Sequence, residues 1–173
     1  MGHDRQSLDV ALRAVDPADL PILFDFEREP SGNAMAVANP RSHEAFVQHW
    51  QRVLTDPAVV ARTIEYEGRV AGSISSFPLD GRPSVGYWLG ERYWGRGIAS
   101  AALGLLLGEI QARPLWARVA TTNAASVRVL EKAGFFVHDT VMSEATPRFP
   151  ACEEFLMRLD GDHDTPHRAA RRT

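Results

Sequence analysis

Two short stretches carry residue types at spacings suited to chemistry. The first, Arg92-Tyr-Trp-Gly-Arg-Gly-Ile-Ala99, lies between an apolar run at 84–89 and a helical run at 98–112. Gly95 and Gly97 permit backbone angles that other residues resist and let a ligand come close to the main chain. A helix starting behind them offers unpaired N–H groups and a partial positive charge, which suit a phosphate or pyrophosphate. Arg92 and Arg96 add cationic forks that could grip phosphate oxygens. The second stretch is Asn123-Ala-Ala-Ser126, where Asn123 stands as N-cap of a short helix and Ser126 as its third residue. Their side chains gather at the positive end of that helix. Spacing alone gives Asn123 a capping role and Ser126 no more than a polar first-turn position.

The glycine loop has a competing reading. Gly95-Arg-Gly97-Ile-Ala-Ser100 approaches the dinucleotide fingerprint Gly-x-Gly-x-x-Gly, with Ser100 at the third glycine. That fingerprint calls for a carboxylate at the end of the next strand to hold a ribose hydroxyl, and it usually opens its domain. Here the next strand ends Ala120-Thr-Thr-Asn123, and three strands precede the loop. Both features argue against a nicotinamide or flavin site.

The elements that must position these stretches follow from periodicity. Residues 8–15 alternate as a half-buried first strand. Asp16-Pro17 opens a helix, followed by Leu20, Leu23 and Phe24 at helical spacing. Residues 29–40, with Pro30, Gly32, Asn33 and Pro40, read as a loop. Ser42 caps a second helix with an apolar face of Phe46, Trp50, Val53 and Leu54. Strands at 59–65 and 69–77 form a hairpin, and a turn at 79–83 leads to the strand at 84–89. In the helix behind the glycine loop, Ala99, Leu103, Leu106 and Ile110 share a face. Gly104 and Gly108 inside it fit a helix lying close to the sheet. A strand at 115–121, the short helix ending at Gly134 and a strand pair at 135–141 and 154–159 complete the domain.

Composition bounds the class. A chain of 173 residues, 45% hydrophobic and 24% charged, is an ordinary globular domain with a sizeable core. We read residues 1–160 as that single domain and 161–173 as a polar tail, in which His163 and His167 have ligand spacing without a folded context. No apolar run approaches the roughly 20 residues of a membrane span, and the start lacks a signal peptide's apolar stretch. The single cysteine, Cys152, suits a reducing cytoplasm. A net charge of −3 gives no reason to propose nucleic acid as partner.

The Arg-x-x-Gly-x-Gly loop, the helix and strand after it, and Asn123-Ala-Ala-Ser-Val-Arg-Val-Leu-Glu-Lys-Ala-Gly-Phe135 together resemble the GNAT acyl-CoA N-acyltransferases. Within them the chain is similar to the branch containing RimJ and RimL, over residues 8–160. The resemblance implies an α/β (α+β) fold with a mixed, mostly antiparallel sheet and about four flanking helices. Its parallel strands 84–89 and 115–121 splay at the glycine loop to admit the pantetheine arm. It further implies transfer of an acetyl group from acetyl-CoA to a primary amine, either a protein N-terminus or a small molecule, by direct attack in a ternary complex without a metal.

Cofactor contacts are then expected from Trp88, Leu89, Arg92, Trp94, Gly95, Arg96, Gly97, Ile98, Ala99, Asn123, Ser126 and Arg128. By the same resemblance Asn123 meets the pantetheine arm and Ser126 lies near the thioester sulfur, where its hydroxyl could assist the departing thiolate. Backbone N–H groups of 87–89 would face the acyl group. Arg128 and Lys132, four apart on one helix face, could meet a coenzyme A phosphate or stay solvated.

Two departures stand out. Leu130 fills the position where many members carry Tyr, and Ser84 lies near the point where relatives often carry Glu. The base is therefore open among Glu65, His43, Asp80 and Glu144, with Glu65 put first. These departures keep alive a non-catalytic acyl-CoA-binding or sensing module. Residues 142–152, with Arg148, Phe149 and Pro150, are expected to wall the acceptor site. Exposed strands at the sheet edge leave room for a homodimer.

Overall fold

The computed structural model describes residues 8–161. Seven strands form one sheet in the order β1-β2-β3-β4-β5-β7-β6. They are β1 Val10–Ala14, β2 Val60–Tyr66, β3 Arg69–Leu79, β4 Arg82–Leu89, β5 Leu115–Ala120, β6 Phe136–Met142 and β7 Glu153–Leu159. All neighbours pair antiparallel except β4 and β5. The expected closing pair is present, and the last strand inserts beside β5, with Leu115 opposite Leu159. Helices α1 Leu20–Glu27, α2 Pro30–Ala36, α3 His43–Thr55, α4 Ile98–Glu109 and α5 Ala124–Lys132 cover the sheet. His163 and His167 lie outside the described residues.

Strand residues facing inward, such as Ile64, Ile74, Leu115 and Met157, are fully buried together with Phe46 of α3 and Leu103 and Leu106 of α4. The buried stripe of α4 is Ile98, Ala102, Leu103 and Leu106, with Ala99 and Ile110 at its margins. Its interior glycines differ from expectation. A Cβ built on Gly104 or Gly108 would meet nothing within 4 Å, so neither residue permits a close approach to the sheet. Gly104→Ala and Gly108→Ala are therefore expected to stabilise the fold by about 0.5–1 kcal/mol each, read as a rise in the denaturation midpoint.

The loop expected at 29–40 contains a helix. Pro30 occupies its first turn, where a missing N–H costs nothing and the fixed φ suits the helix. The Asn33 amide donates to the carbonyls of Glu27 at 2.7 Å and Glu29 at 3.0 Å, closing the turn out of α1. The helix stops at Val37, which takes a left-handed conformation with φ 50°. With this element the described residues hold five α-helices, against the about four expected.

The entry to α1 is held by a polar knot. Asp16 and Asp19 cap reciprocally: Asp16 accepts from the Ala18 N–H at 2.8 Å, and Asp19 accepts from the Asp16 N–H at 2.9 Å. Buried Asp19 also takes both Arg13 Nη groups, at 2.7 and 2.8 Å, and the Thr63 hydroxyl at 2.7 Å. These bonds, the Arg13 guanidinium first, hold the Asp19 carboxyl down at about 2 against an ordinary value of 3.8. A depressed carboxyl stabilises the fold above its unfolded pKa and loses that contribution as pH falls through the folded one. Unfolding measured between pH 5 and 2 should therefore show a loss of about 2 kcal/mol assignable to Asp19, concentrated below about pH 4 and absent from Asp19→Asn.

Candidate active site

The site begins where the sheet opens. β4 pairs with β3 along its whole length, from Leu79↔Arg82 to Gly72↔Leu89. Its parallel contact with β5 is confined to Ser84↔Trp116, so beyond Ser84 the two strands diverge. The Gly90 N–H bonds to the Ala71 carbonyl at 3.0 Å and points toward β3, whereas the Leu89 carbonyl accepts from Trp94 Nε1 at 3.2 Å and points away. Alternation along the strand then turns the N–H groups of Tyr87 and Leu89 into the gap between β4 and β5.

One end of the gap is closed by the glycine loop. Gly95 and Gly97 have φ of 69° and 79°, left-handed angles that strain any side-chain-bearing residue. Gly97 is the N-cap of α4 and gives no side-chain cap, so the first-turn N–H groups of that helix stay available to an anion. The other wall is the start of α5. The Asn123 side chain is buried and its Oδ1 accepts from the Ser126 N–H at 3.2 Å, the capping bond expected from spacing.

A cavity of about 370 Å³ fills the gap. Of the anticipated residues, Trp88, Leu89, Trp94, Gly95, Gly97, Ile98, Ala99, Asn123, Ser126 and Arg128 line it, joined by Lys132. Arg92 and Arg96 are exposed and stand outside the lining, and the Arg92 guanidinium lies 5.5 Å from the centre of the Phe26 ring and 5.1 Å from that of Tyr93. Spacing located the charges and not their direction.

The candidate bases also stand apart from the cavity lining. Glu65 accepts from Arg13 Nε at 2.6 Å, Asp80 pairs with Arg118 at 3.1 Å, His43 sits edge-on against Phe24 with ring centres 5.2 Å apart, and Glu144 is exposed. Among the described residues, no carboxylate or imidazole lines the cavity.

Sequence reasoning missed two parts of the site. The helix α2 contributes Gly32, Met35 and Ala36 to the wall, and a Cβ on Gly32 would come within 2.9 Å of the Trp88 ring. The Tyr87 side chain also lines the cavity, its hydroxyl 2.8 Å from Ser126 Oγ. Burial pushes the Tyr87 phenol above its ordinary pKa, and the bond to Ser126 offsets part of that rise. The signal was period-two alternation, which sets Tyr87 on the same face as Leu89.

Arg148, in the irregular segment before β7, reaches the outside of this wall. It donates to Asn33 Oδ1 at 3.1 Å and lies 5.0 Å from the centre of the Trp88 ring, so the segment props Trp88 rather than lining the cavity itself.

With this geometry in view, the comparison with known proteins is decisive. A GNAT acetyltransferase domain model matches residues 9–136. The chain belongs to the GNAT acetyltransferase family. It is 26% identical over 141 residues to YdaF of Bacillus subtilis (strain 168), a protein provisionally named a ribosomal N-acetyltransferase; the match covers 73% of this chain and 77% of YdaF. A spermidine N-acetyltransferase from Vibrio cholerae, solved with CoA and spermine, superposes with a TM-score of 0.75 at 15% identity, covering 88% of this chain and 95% of that one. RimJ of Mycobacterium smegmatis, solved with CoA-disulfide, gives 0.73 at 19% identity over 87% and 81% of the two chains. The GNAT fold expected from the two motifs is thus found, and RimJ is among the solved structures that share it. Among the described residues, no helix is long and apolar enough to cross a membrane.

Proposed function

We propose that this GNAT domain moves an acetyl group from acetyl-CoA to a primary amine, by direct attack within a ternary complex. The observation that carries the reading is the splay of β4 from β5 beyond Ser84. It brings the N-terminus of α4, the free N–H groups of Tyr87 and Leu89 and the Ser126 hydroxyl onto one cavity. In this reading the pyrophosphate of the cofactor sits on the α4 N-terminus at Gly95 and Gly97, with Arg128 and Lys132 near its phosphates. The pantetheine arm extends β4 like a strand, and Asn123 lies beside it.

The chemistry follows from that pose. A neutral amine attacks the thioester carbonyl, the C–N bond forms, and negative charge grows on the carbonyl oxygen, where a β4 N–H can receive it. The C–S bond then breaks with its electron pair going to sulfur, and the Ser126 hydroxyl hydrogen-bonds the thiolate. The amine proton leaves to water. With no carboxylate or imidazole among the lining residues, the acceptor needs an amine that is partly neutral near pH 7. An N-terminal α-amine, with a pKa of about 8, meets that condition, whereas a lysine-like amine near 10.4 does not. The favoured acceptor is therefore a peptide or protein N-terminus.

The test is mass spectrometry on purified protein given acetyl-CoA and a pool of short peptides, amino acids, polyamines and aminoglycosides. Acetylated peptide is the expected product. A polyamine product would keep the reaction and overturn the acceptor. Acetyl-CoA binding without any product would favour a sensing module, and absence of binding would overturn the reading of the glycine loop.

A further inference from the structure

We propose that Tyr87 is a positioning residue for Ser126: the phenol donates to Ser126 Oγ and thereby leaves the serine's own hydrogen aimed at the cavity, where the acyl-CoA sulfur would lie. The inference rests on the acetyl-transfer reading above and adds a part to it. The two oxygens are 2.8 Å apart, on elements separated by 39 positions in the chain. A serine hydroxyl has one hydrogen and two lone pairs, and a tyrosine likewise has one hydrogen to give, so the pair has two possible directions. Chemistry selects between them. The phenol is the more acidic and thus the stronger donor, while the alkyl oxygen is the better acceptor. Burial keeps Tyr87 protonated throughout the working range.

Once Tyr87 donates, the Ser126 hydrogen has no protein acceptor among the described residues, for Oγ makes no second bond to them and the Ser126 N–H is committed to Asn123. The free hydrogen therefore turns toward the space that both side chains line. A donated bond at the serine oxygen also polarises its O–H and strengthens the bond that it donates onward. No proton leaves Tyr87 in this step. A thiolate, whose conjugate thiol has an ordinary pKa of about 8.5, is too weak a base to take the proton of a phenol that burial raises above its ordinary value, so the tyrosine orients and polarises while the thiolate is stabilised by Ser126 alone.

A double-mutant cycle tests this. Tyr87→Phe is expected to lower kcat about tenfold while the KM for acetyl-CoA moves less than about twofold. In a Ser126→Ala background the same substitution should change kcat by less than about twofold, because its effect passes through the serine. Equal losses in both backgrounds, or no loss in the first, would overturn the proposal. Lack of turnover by the unmodified protein would count instead against acetyl transfer. The pairing is then read by ultraviolet titration of tyrosinate, taking Tyr87 as the difference from Tyr87→Phe. Ser126→Ala should raise its ionisation pH further, and an unchanged titration would overturn the proposal independently of activity.

Discussion

Ser126→Ala is expected to lower kcat for acetyl transfer by about 10²-fold while the Kd for acetyl-CoA changes less than about threefold. The size follows from the leaving group. Coenzyme A departs as a thiolate whose conjugate thiol has a pKa of about 8.5, so it is a fair leaving group near neutrality and needs less help than an alkoxide. A single oriented hydrogen bond to developing charge in a water-poor cleft is worth about 2.7 kcal/mol, which is the stated factor. Binding should survive, because in the proposed pose the cofactor rests elsewhere, at the α4 N-terminus, along β4 and beside Asn123, whose capping bond goes to the backbone N–H of residue 126 and not to its hydroxyl. The fold should lose only about 1 kcal/mol with the Tyr87 bond. Steady-state kinetics paired with calorimetric binding separates the two effects. A kcat unchanged within twofold would remove Ser126 from the chemistry, and a large loss of affinity would show it to be a binding residue.

The parts of the molecule that were legible in the sequence are those set by neighbours along the chain. Left-handed angles at Gly95 and Gly97, the Asn123 cap and the Asp16-Pro17 helix start are each decided within a few residues, and each is found where the spacing put it. What escaped depends on contacts between distant segments. The polar composition of α2 reads as a loop until Asn33 finds the Glu27 carbonyl and Gly32 finds the Trp88 ring. The Arg92 guanidinium lies over the ring of Phe26, in α1, as well as that of its neighbour Tyr93. Glu65 carried a formal charge suited to a base, and only the alignment of β1 with β2 reveals that Arg13 occupies it. Tyr87 was visible as a strand residue, but its partner lies across the cleft on α5. Local chemistry therefore placed the glycine loop and the Asn123 cap, while the pairing of side chains across the cleft required the sheet to be assembled.

Gly72→Ala should be the most damaging single methyl group in the protein, costing about 3 kcal/mol or more and lowering soluble yield along with the melting temperature. Gly72 lies on β3 opposite Leu89, next to a register shift at Ile64/Glu65 that leaves Ala71 without a residue opposite it on β2. A Cβ there would stand 2.0 Å from the Trp88 carbonyl oxygen and 3.0 Å from the Leu89 Cα. Both are backbone atoms of β4, held by the ladder and unable to rotate away. Relief requires β4 itself to shift, carrying with it Trp88, the Leu89 N–H and one wall of the cleft. Two other glycines calibrate the expectation. At Gly90 the obstacle is the Phe26 ring at 2.6 Å, a buried side chain that can tilt, so Gly90→Ala should cost about 1–3 kcal/mol. At Gly86 the Phe77 ring is 3.4 Å away, an ordinary contact, and Gly86→Ala should fall within about 1 kcal/mol of neutral. Chemical denaturation of the three variants should therefore rank Gly72→Ala below Gly90→Ala and Gly90→Ala below Gly86→Ala in stability. If Gly72→Ala matched Gly86→Ala, then β3 and β4 would not approach as closely as the ladder requires, and the splay that opens the cleft beyond Ser84 would lose its rigid side.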